Sequence, residues 1–161
     1  YICCDWRSWG SWWEVSKQTD AVPKNMLVWD KGNQGMGNNY SNTYELVGFY
    51  HKMPERTVMQ SDNIVTGTRG VLRPNMIRAD RVLGKERQHN AAKPIDLISE
   101  CLTNSSDVGD IVVDWFAGSG STLLACEQMD RICYTVDIDP HWCDVTIQRW
   151  EEYTGQKAKK L

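Results

Sequence analysis

The stretch that most constrains this chain is DIVVDWFAGSGSTLLACEQMDRICYTVDIDP, residues 110 to 140. Its first apolar run, IVVDWF, breaks into a glycine-and-serine turn, and a helix-forming segment over 120–129 follows. A second run, RICYTVD, closes on Asp137. Strand, helix, strand in that order is the pattern of a parallel sheet covered by helices, an α/β fold. Pro140, after Asp139 as cap, opens a last helix with Trp142, Thr146, Trp150 and Tyr153 on one side and Gly155 at its end. Upstream, Pro94 suits the first position of a helix whose stripe is Ile95, Ile98 and Leu102, with Leu97 and Cys101 alongside.

The first half reads differently. YICCD (1–5) has the character of a buried strand, and a helix over 11–18 offers Trp12, Trp13 and Val15 for a packed face. NMLVWD (25–30) and YELVGFYHK (44–52) are β-branched and aromatic runs, and the glycine- and asparagine-rich loop between them makes a hairpin. Residues 54–90 show no clear periodicity. The chain divides on this reading into 1–53, an irregular insert at 54–88, and 89–161.

Composition sets the class. With 41% hydrophobic and 24% charged residues among 161, the chain has the balance of a globular domain with a real core. No apolar run approaches the roughly 20 residues of a membrane span, so no membrane partner is expected. The six cysteines show no Cys-x-x-Cys spacing, which argues against a metal site and for reduced, packed thiols. Reduced thiols point to a cytoplasmic setting. The net charge of −3 hides a segregation: Arg69 to Arg87 carries +4, leaving −7 for the rest. Such a segment is either a solvated loop or a phosphate-facing surface.

Gly118 and Gly120 let the backbone turn tightly and approach a ligand. The free N–H groups at the start of the next helix favour a negative group there. Asp137, one strand over, can accept from ribose hydroxyls, as acids do in nucleoside-binding sheets. A dinucleotide fingerprint wants a small residue where Leu123 stands, and Asp114 just before the loop would repel a pyrophosphate. That carboxylate suits the ammonium of an amino acid instead. A ligand with ammonium, carboxylate and ribose together is S-adenosylmethionine; the alternative is a structural turn with no ligand.

The segment from His89 to Pro140 resembles the C-terminal half of DNA amino-methyltransferases, in the permuted subgroup whose cofactor motifs come last. The family pattern is His-Pro-x-x-Lys-Pro, then Asp-Pro-Phe-x-Gly-Ser-Gly-Thr-Thr, then an acid. This chain has His89, Lys93 and Pro94, then Asp114, Phe116, Gly118, Ser119, Gly120 and Thr122, then Asp137. It departs at Asn90, Trp115, Ser121 and Asp137, where proline, proline, threonine and glutamate are usual. YICCDWRSW and the hairpin with its Trp29-x-Lys31 and Gly-Met-Gly are similar to phage and prophage members.

The resemblance implies a Rossmann-like S-adenosylmethionine-dependent methyltransferase sheet, with 1–53 on its substrate side and 89–161 as its cofactor-binding half. Main-chain N–H groups of Ser119, Gly120, Ser121 and Thr122 would hold the cofactor carboxylate. Asp114 would face its amino group, Asp137 its ribose, and Phe116 and Ile138 its adenine. Asn90, Lys93 and Pro94 would close the methionine side. Trp29 and Lys31 would contact the target base, and Arg69, Arg73, Arg78 and Arg81 the phosphates of double-stranded DNA. Trp29 and Lys31 read equally well as a packing tryptophan and a solvated lysine. Trp6, Trp9, Trp12 and Trp13 are expected in core and helix packing.

The family's Asp-Pro-Pro-Tyr loop, which positions the target amine and stacks on the flipped base, has no counterpart here, because none of the five prolines adjoins another. The catalytic residues therefore cannot be named. The resemblance places the strand bearing that loop between IVVDWF and YICCD, so the sheet is expected to be incomplete, with binding of cofactor weak and methylation absent in this chain alone. An upstream segment of the same enzyme or a complementing chain would supply it. The expected function is transfer of a methyl group to adenine N6 or cytosine N4, of the kind found in restriction–modification systems and phage. Alternatives are a remnant that binds cofactor or DNA without chemistry, and a protein or RNA methyltransferase.

Overall fold

A computed structural model describes residues 1–33, 39–52, 73–81 and 92–160. They form two compact units, Tyr1–Asp80 and Arg81–Leu161. The expected boundaries at 53/54 and 88/89 lie outside the described residues.

The first unit contains strand β1 (Ile2–Cys4), helix α1 (Trp9–Ser16) and strands β2 (Ala21–Asp30), β3 (Tyr44–Lys52) and β4 (Met76–Arg78). The strand order is β1-β3-β2-β4. β2 and β3 pair antiparallel as the expected hairpin, with Leu27 opposite Val47 and Trp29 opposite Glu45. β2 runs four residues further upstream than the apolar pattern indicates, through Pro23. Proline cannot donate to a ladder, and the register shifts between Pro23 and Asn25. Cys4, Trp29, Leu46, Val47 and Ala79 form the buried set.

Several expectations for this unit need correcting. α1 starts two residues earlier than its polar–apolar pattern suggests and leaves Trp12, Trp13 and Val15 exposed. Those three positions spread over a wide arc of a 3.6-residue helix, so one face cannot bury them all. Trp6 is also exposed, at 60%. Only Trp9 packs inward, against Gly48: a Cβ there would lie 3.1 Å from its ring. Cys3 is exposed as well, because alternation along β1 turns Cys4 inward.

The second unit contains α2 (Ile95–Ser105), β5 (Ile111–Asp114), α3 (Ser121–Gln128), β6 (Ile132–Thr135) and α4 (Pro140–Thr154). β5 and β6 pair in parallel, with Asp114 opposite Thr135. Leu102, Ala125 and Cys126 are the centre of its core, and Ile95, Ile98, Val112 and Cys133 pack around them. Both thiols there are free, and the hydrogen bond to Cys126, reinforced by burial, holds the Cys133 proton tightly. These cysteines act as small apolar groups.

One face of the β5–β6 pair rests on this core. Residues of opposite parity, Ile111, Val113, Ile132 and Tyr134, are exposed. α4 is capped by Asp139, which accepts from the His141 N–H at 2.9 Å, with Pro140 in the first turn. Gly155, at φ +70°, ends it. Among the described residues β1 has one ladder neighbour, β3, and β5 has one, β6.

Candidate cofactor site

The carboxyl ends of β5 and β6 meet at a single loop. β5 ends at Asp114 and the backbone continues the pairing briefly: Val136 N–H donates to the Asp114 carbonyl at 2.9 Å, and Ala117 N–H to that of Val136 at 3.0 Å. This carries the loop 116–120 across the end of β6. Gly120 N–H then closes a turn onto the Ala117 carbonyl at 2.9 Å. Gly118 and Gly120 have φ of +52° and +79°, values that cost a residue with a Cβ about 1–2 kcal/mol.

Both acids are bound to this loop. Asp114 Oδ1 accepts from Phe116 N–H at 3.0 Å and Oδ2 from the Thr122 hydroxyl at 2.6 Å. Asp137 Oδ2 accepts from Gly118 N–H at 2.7 Å, and Oδ1 from Asp139 N–H at 3.0 Å. Two carboxylates from adjacent strands are thereby fixed about one glycine turn. An ionised carboxylate offers about four acceptor sites, so Asp114 can bind Phe116 and Thr122 and still receive an ammonium.

Behind the loop stands α4. Thr146, buried, donates its hydroxyl to the Gly118 carbonyl at 3.0 Å. Arg149, one turn on, donates to the Ser119 carbonyl. Burial lowers the Arg149 pKa from its ordinary value, with Glu152 opposing the shift. A Cβ on Gly120 would sit 2.7 Å from Thr146 Cγ2, so glycine is required there by contact as well as by φ. α4 is tied to α3 by the Trp150 indole, which donates to Glu127 at 3.0 Å.

Sequence reasoning did not connect Thr146 and Arg149 to the loop. Their bonds span 28 and 30 residues, and the one local trace is a three-residue spacing on the helix after Asp137.

The structure thus brings Asp114, Gly118, Ser119, Gly120, Ser121, Thr122 and Asp137 to one place. Ser119 and Ser121 are buried, and the N–H groups of Ser121, Thr122 and Leu123 open α3, where a helix has no internal acceptor for them. Phe116 and Ile138 flank the loop, 88% and 100% exposed. These groups fit S-adenosylmethionine by kind: main-chain donors for a carboxylate, Asp114 for an ammonium, Asp137 for ribose hydroxyls, and two apolar side chains for a purine. Lys93 and buried Pro94 precede α2, with Pro94 as its N-cap rather than its first residue. α2 packs on α3 through the Leu102–Ala125–Cys126 core. Asn90 lies outside the described residues.

The residues assigned to DNA fare differently. Trp29 is 2% exposed and donates its indole N–H to the Ala79 carbonyl at 2.7 Å. Lys31 is 6% exposed and pairs with Glu45 at 3.4 Å. Neither side chain is at the surface in this structure, as the packing reading of Trp29 expects and the solvated reading of Lys31 does not. Trp29 closes the core where β2 meets the segment after β4, and Lys31 is not solvated. Arg78 is exposed, and its guanidinium reaches Asp30 at 2.7 Å and Asp80 at 3.3 Å. Arg73 is exposed and Arg81 half-buried, and Arg69 lies outside the described residues.

The profile of the DNA methylase family of N6/N4 methyltransferases matches residues 1–148. The type II methyltransferase M.HpaI of Haemophilus parainfluenzae is 28% identical over 137 residues, 76% of this chain and 44% of that protein. M.Cfr9I of Citrobacter freundii is 36% identical over 61 residues, 38% of this chain and 20% of its own length. The chain spans less than half the length of the curated relatives it matches. Among solved structures, the complex of M1.HpyAVI with SAM superposes with TM-score 0.69 at 21% identity, covering 92% of this chain and 72% of that one. The cytosine-N4-specific PvuII DNA methyltransferase gives 0.70 at 15%, covering 89% and 56%. The α/β fold is that of these enzymes.

Proposed function

Because this chain belongs to the DNA methylase family of N6/N4 methyltransferases, we propose that it forms the cofactor-holding part of an enzyme that methylates an exocyclic amine in DNA. The amine is adenine N6 or cytosine N4. The observation that carries the reading is the fastening of Asp114 and Asp137 to the same glycine loop, at the carboxyl ends of neighbouring parallel strands. S-adenosylmethionine, when bound, supplies an electrophilic methyl group on sulfonium.

The chain's own residues would do the binding and orienting. Asp114 holds the ammonium and Asp137 the ribose, while N–H groups of the loop and first turn of α3 face the carboxylate. Phe116 and Ile138 cover the purine. Fixing the amino-acid and ribose ends leaves the methyl group in one place, which is the entropic contribution to an in-line transfer. Lys93 and Pro94 close the methionine side. No Asp-Pro-Pro-Tyr occurs in these 161 residues, and the groups that polarise the target amine are assigned to another segment. Arg73, Arg78 and Arg81 are the described candidates for phosphate contacts, which would make DNA binding fall with salt.

Two measurements test this together: titration of the labelled chain with S-adenosylmethionine followed by amide NMR, and transfer of tritiated methyl to unmethylated duplex DNA. Saturable shifts at Gly118–Thr122 and Asp137, without transfer by the chain alone, are expected. Absence of saturable shifts at the loop refutes the cofactor assignment. Methyl transfer by these 161 residues alone refutes the assignment of the base-polarising groups to another segment.

A further inference from the structure

We infer that Thr146 and Arg149 are positioning residues that brace the glycine turn and so aim the Ser119 N–H at the carboxylate of the bound cofactor. The inference rests on the cofactor reading above and names two residues for that site that do not touch the ligand.

Thr146 and Arg149 lie three apart on α4, so they share a face, and they grip successive carbonyls, those of Gly118 and Ser119. A peptide unit is planar and trans, so its N–H points opposite to its C=O. Holding the Gly118 carbonyl toward α4 therefore directs the Ser119 N–H away from α4. Holding the Ser119 carbonyl does the same for the Gly120 N–H, which closes the turn onto Ala117. With two successive peptide planes fixed, the loop cannot rotate its donors without breaking bonds to a buried hydroxyl and a half-buried guanidinium.

Arg149 adds a second effect. It is a cation set behind the loop, donating to the Ser119 carbonyl, and it polarises that peptide in the sense that strengthens the Gly120 N–H bond to Ala117, so the turn that presents the Ser119 N–H is held closed. Its field is positive where an anion would bind. Gly120 shows how close the support is, since no side chain fits between the loop and Thr146.

The test compares two ligands that differ only in the group concerned: S-adenosylmethionine and its decarboxylated analogue, which keeps the sulfonium, amine and ribose. Affinities come from NMR titration of the chain, with Ser119 and Gly120 amides as reporters. Wild type should prefer the carboxylate-bearing ligand. Thr146→Val and Arg149→Ala should weaken it about tenfold, close to 1.4 kcal/mol, and change affinity for the analogue less than twofold. Thr146→Ser and Arg149→Lys, which keep a donor, should recover part of the loss and serve should either truncation fail to fold. Equal loss for both ligands, or no loss for either, overturns the inference and leaves the cofactor reading intact. Failure of wild type to bind either ligand overturns that reading and this one with it.

Discussion

Gly118 and Asp137 are joined by a 2.7 Å hydrogen bond across 19 residues of sequence, from the loop after β5 to the acid after β6. The bond does two things. It shapes the turn, and it holds the carboxylate that is proposed to receive the ribose. Asp137→Ala should destabilise the second unit by about 1–3 kcal/mol, because two N–H groups lose a charged acceptor. It should also lower S-adenosylmethionine affinity at least ~10-fold. Asp137→Asn, which keeps one acceptor oxygen, should fall between. Urea unfolding and ligand titration of the same samples check both effects.

Gly120→Ala meets two penalties at once, a left-handed backbone and a Cβ 2.7 Å from Thr146 Cγ2. The expected cost is about 2–4 kcal/mol, combining the conformational term with overpacking. In a double-mutant cycle with Thr146→Ala the two changes should be non-additive by about 1 kcal/mol, since the second makes room for the first. Additive costs would show that contact with Thr146 is not the reason for the glycine.

Asp30 in the first unit titrates below its ordinary value, first because Gly32 N–H bonds to it and second because Arg78 does. A carboxylate with a lowered folded-state pKa contributes stability that is present above the unfolded value. That stability is lost as pH falls through the folded one. The window is therefore acidic, near and below pH 3.8. Carboxyl NMR titration of Arg78→Ala should move the Asp30 midpoint only part of the way back up, because the Gly32 bond remains. A complete return would contradict that order of causes.

Trp29 is a core residue, and its substitution should behave like one. Trp29→Phe strands the Ala79 carbonyl and removes ring volume, for about 1–3 kcal/mol. Below the melting transition, DNA affinity of the variant should match wild type. A selective loss of DNA binding without loss of stability would restore Trp29 to a target-contact role.

The second unit was largely readable in the sequence because its signals are local. Short apolar runs, the glycine pair, Asp139-Pro140 and Gly155 each fix an element within a few residues. The hairpin was readable for the same reason. β4 was not, since three residues, Met76–Arg78, show no period, and their place beside β2 depends on a parallel pairing across 48 residues. The exposed tryptophans of α1 misled in the opposite direction: a large apolar side chain advertises burial, yet only tertiary contact decides it. In the site, the residue types at the loop could be read, but the support from α4 could not. It consists of side-chain bonds to carbonyls, and any helix can carry a threonine and an arginine three apart.

That support has a genetic corollary. Since the loop would meet its ligand with peptide groups, an exhaustive substitution survey should show an inverted footprint. Alanine or other small replacements at Ser121 should survive selection, whereas Gly118 and Gly120, and the remote pair Thr146 and Arg149, should tolerate almost nothing. Damage would concentrate at the two acids and where the chain bends or is braced, and positions that meet the small molecule through main-chain N–H groups alone would be the freest to vary.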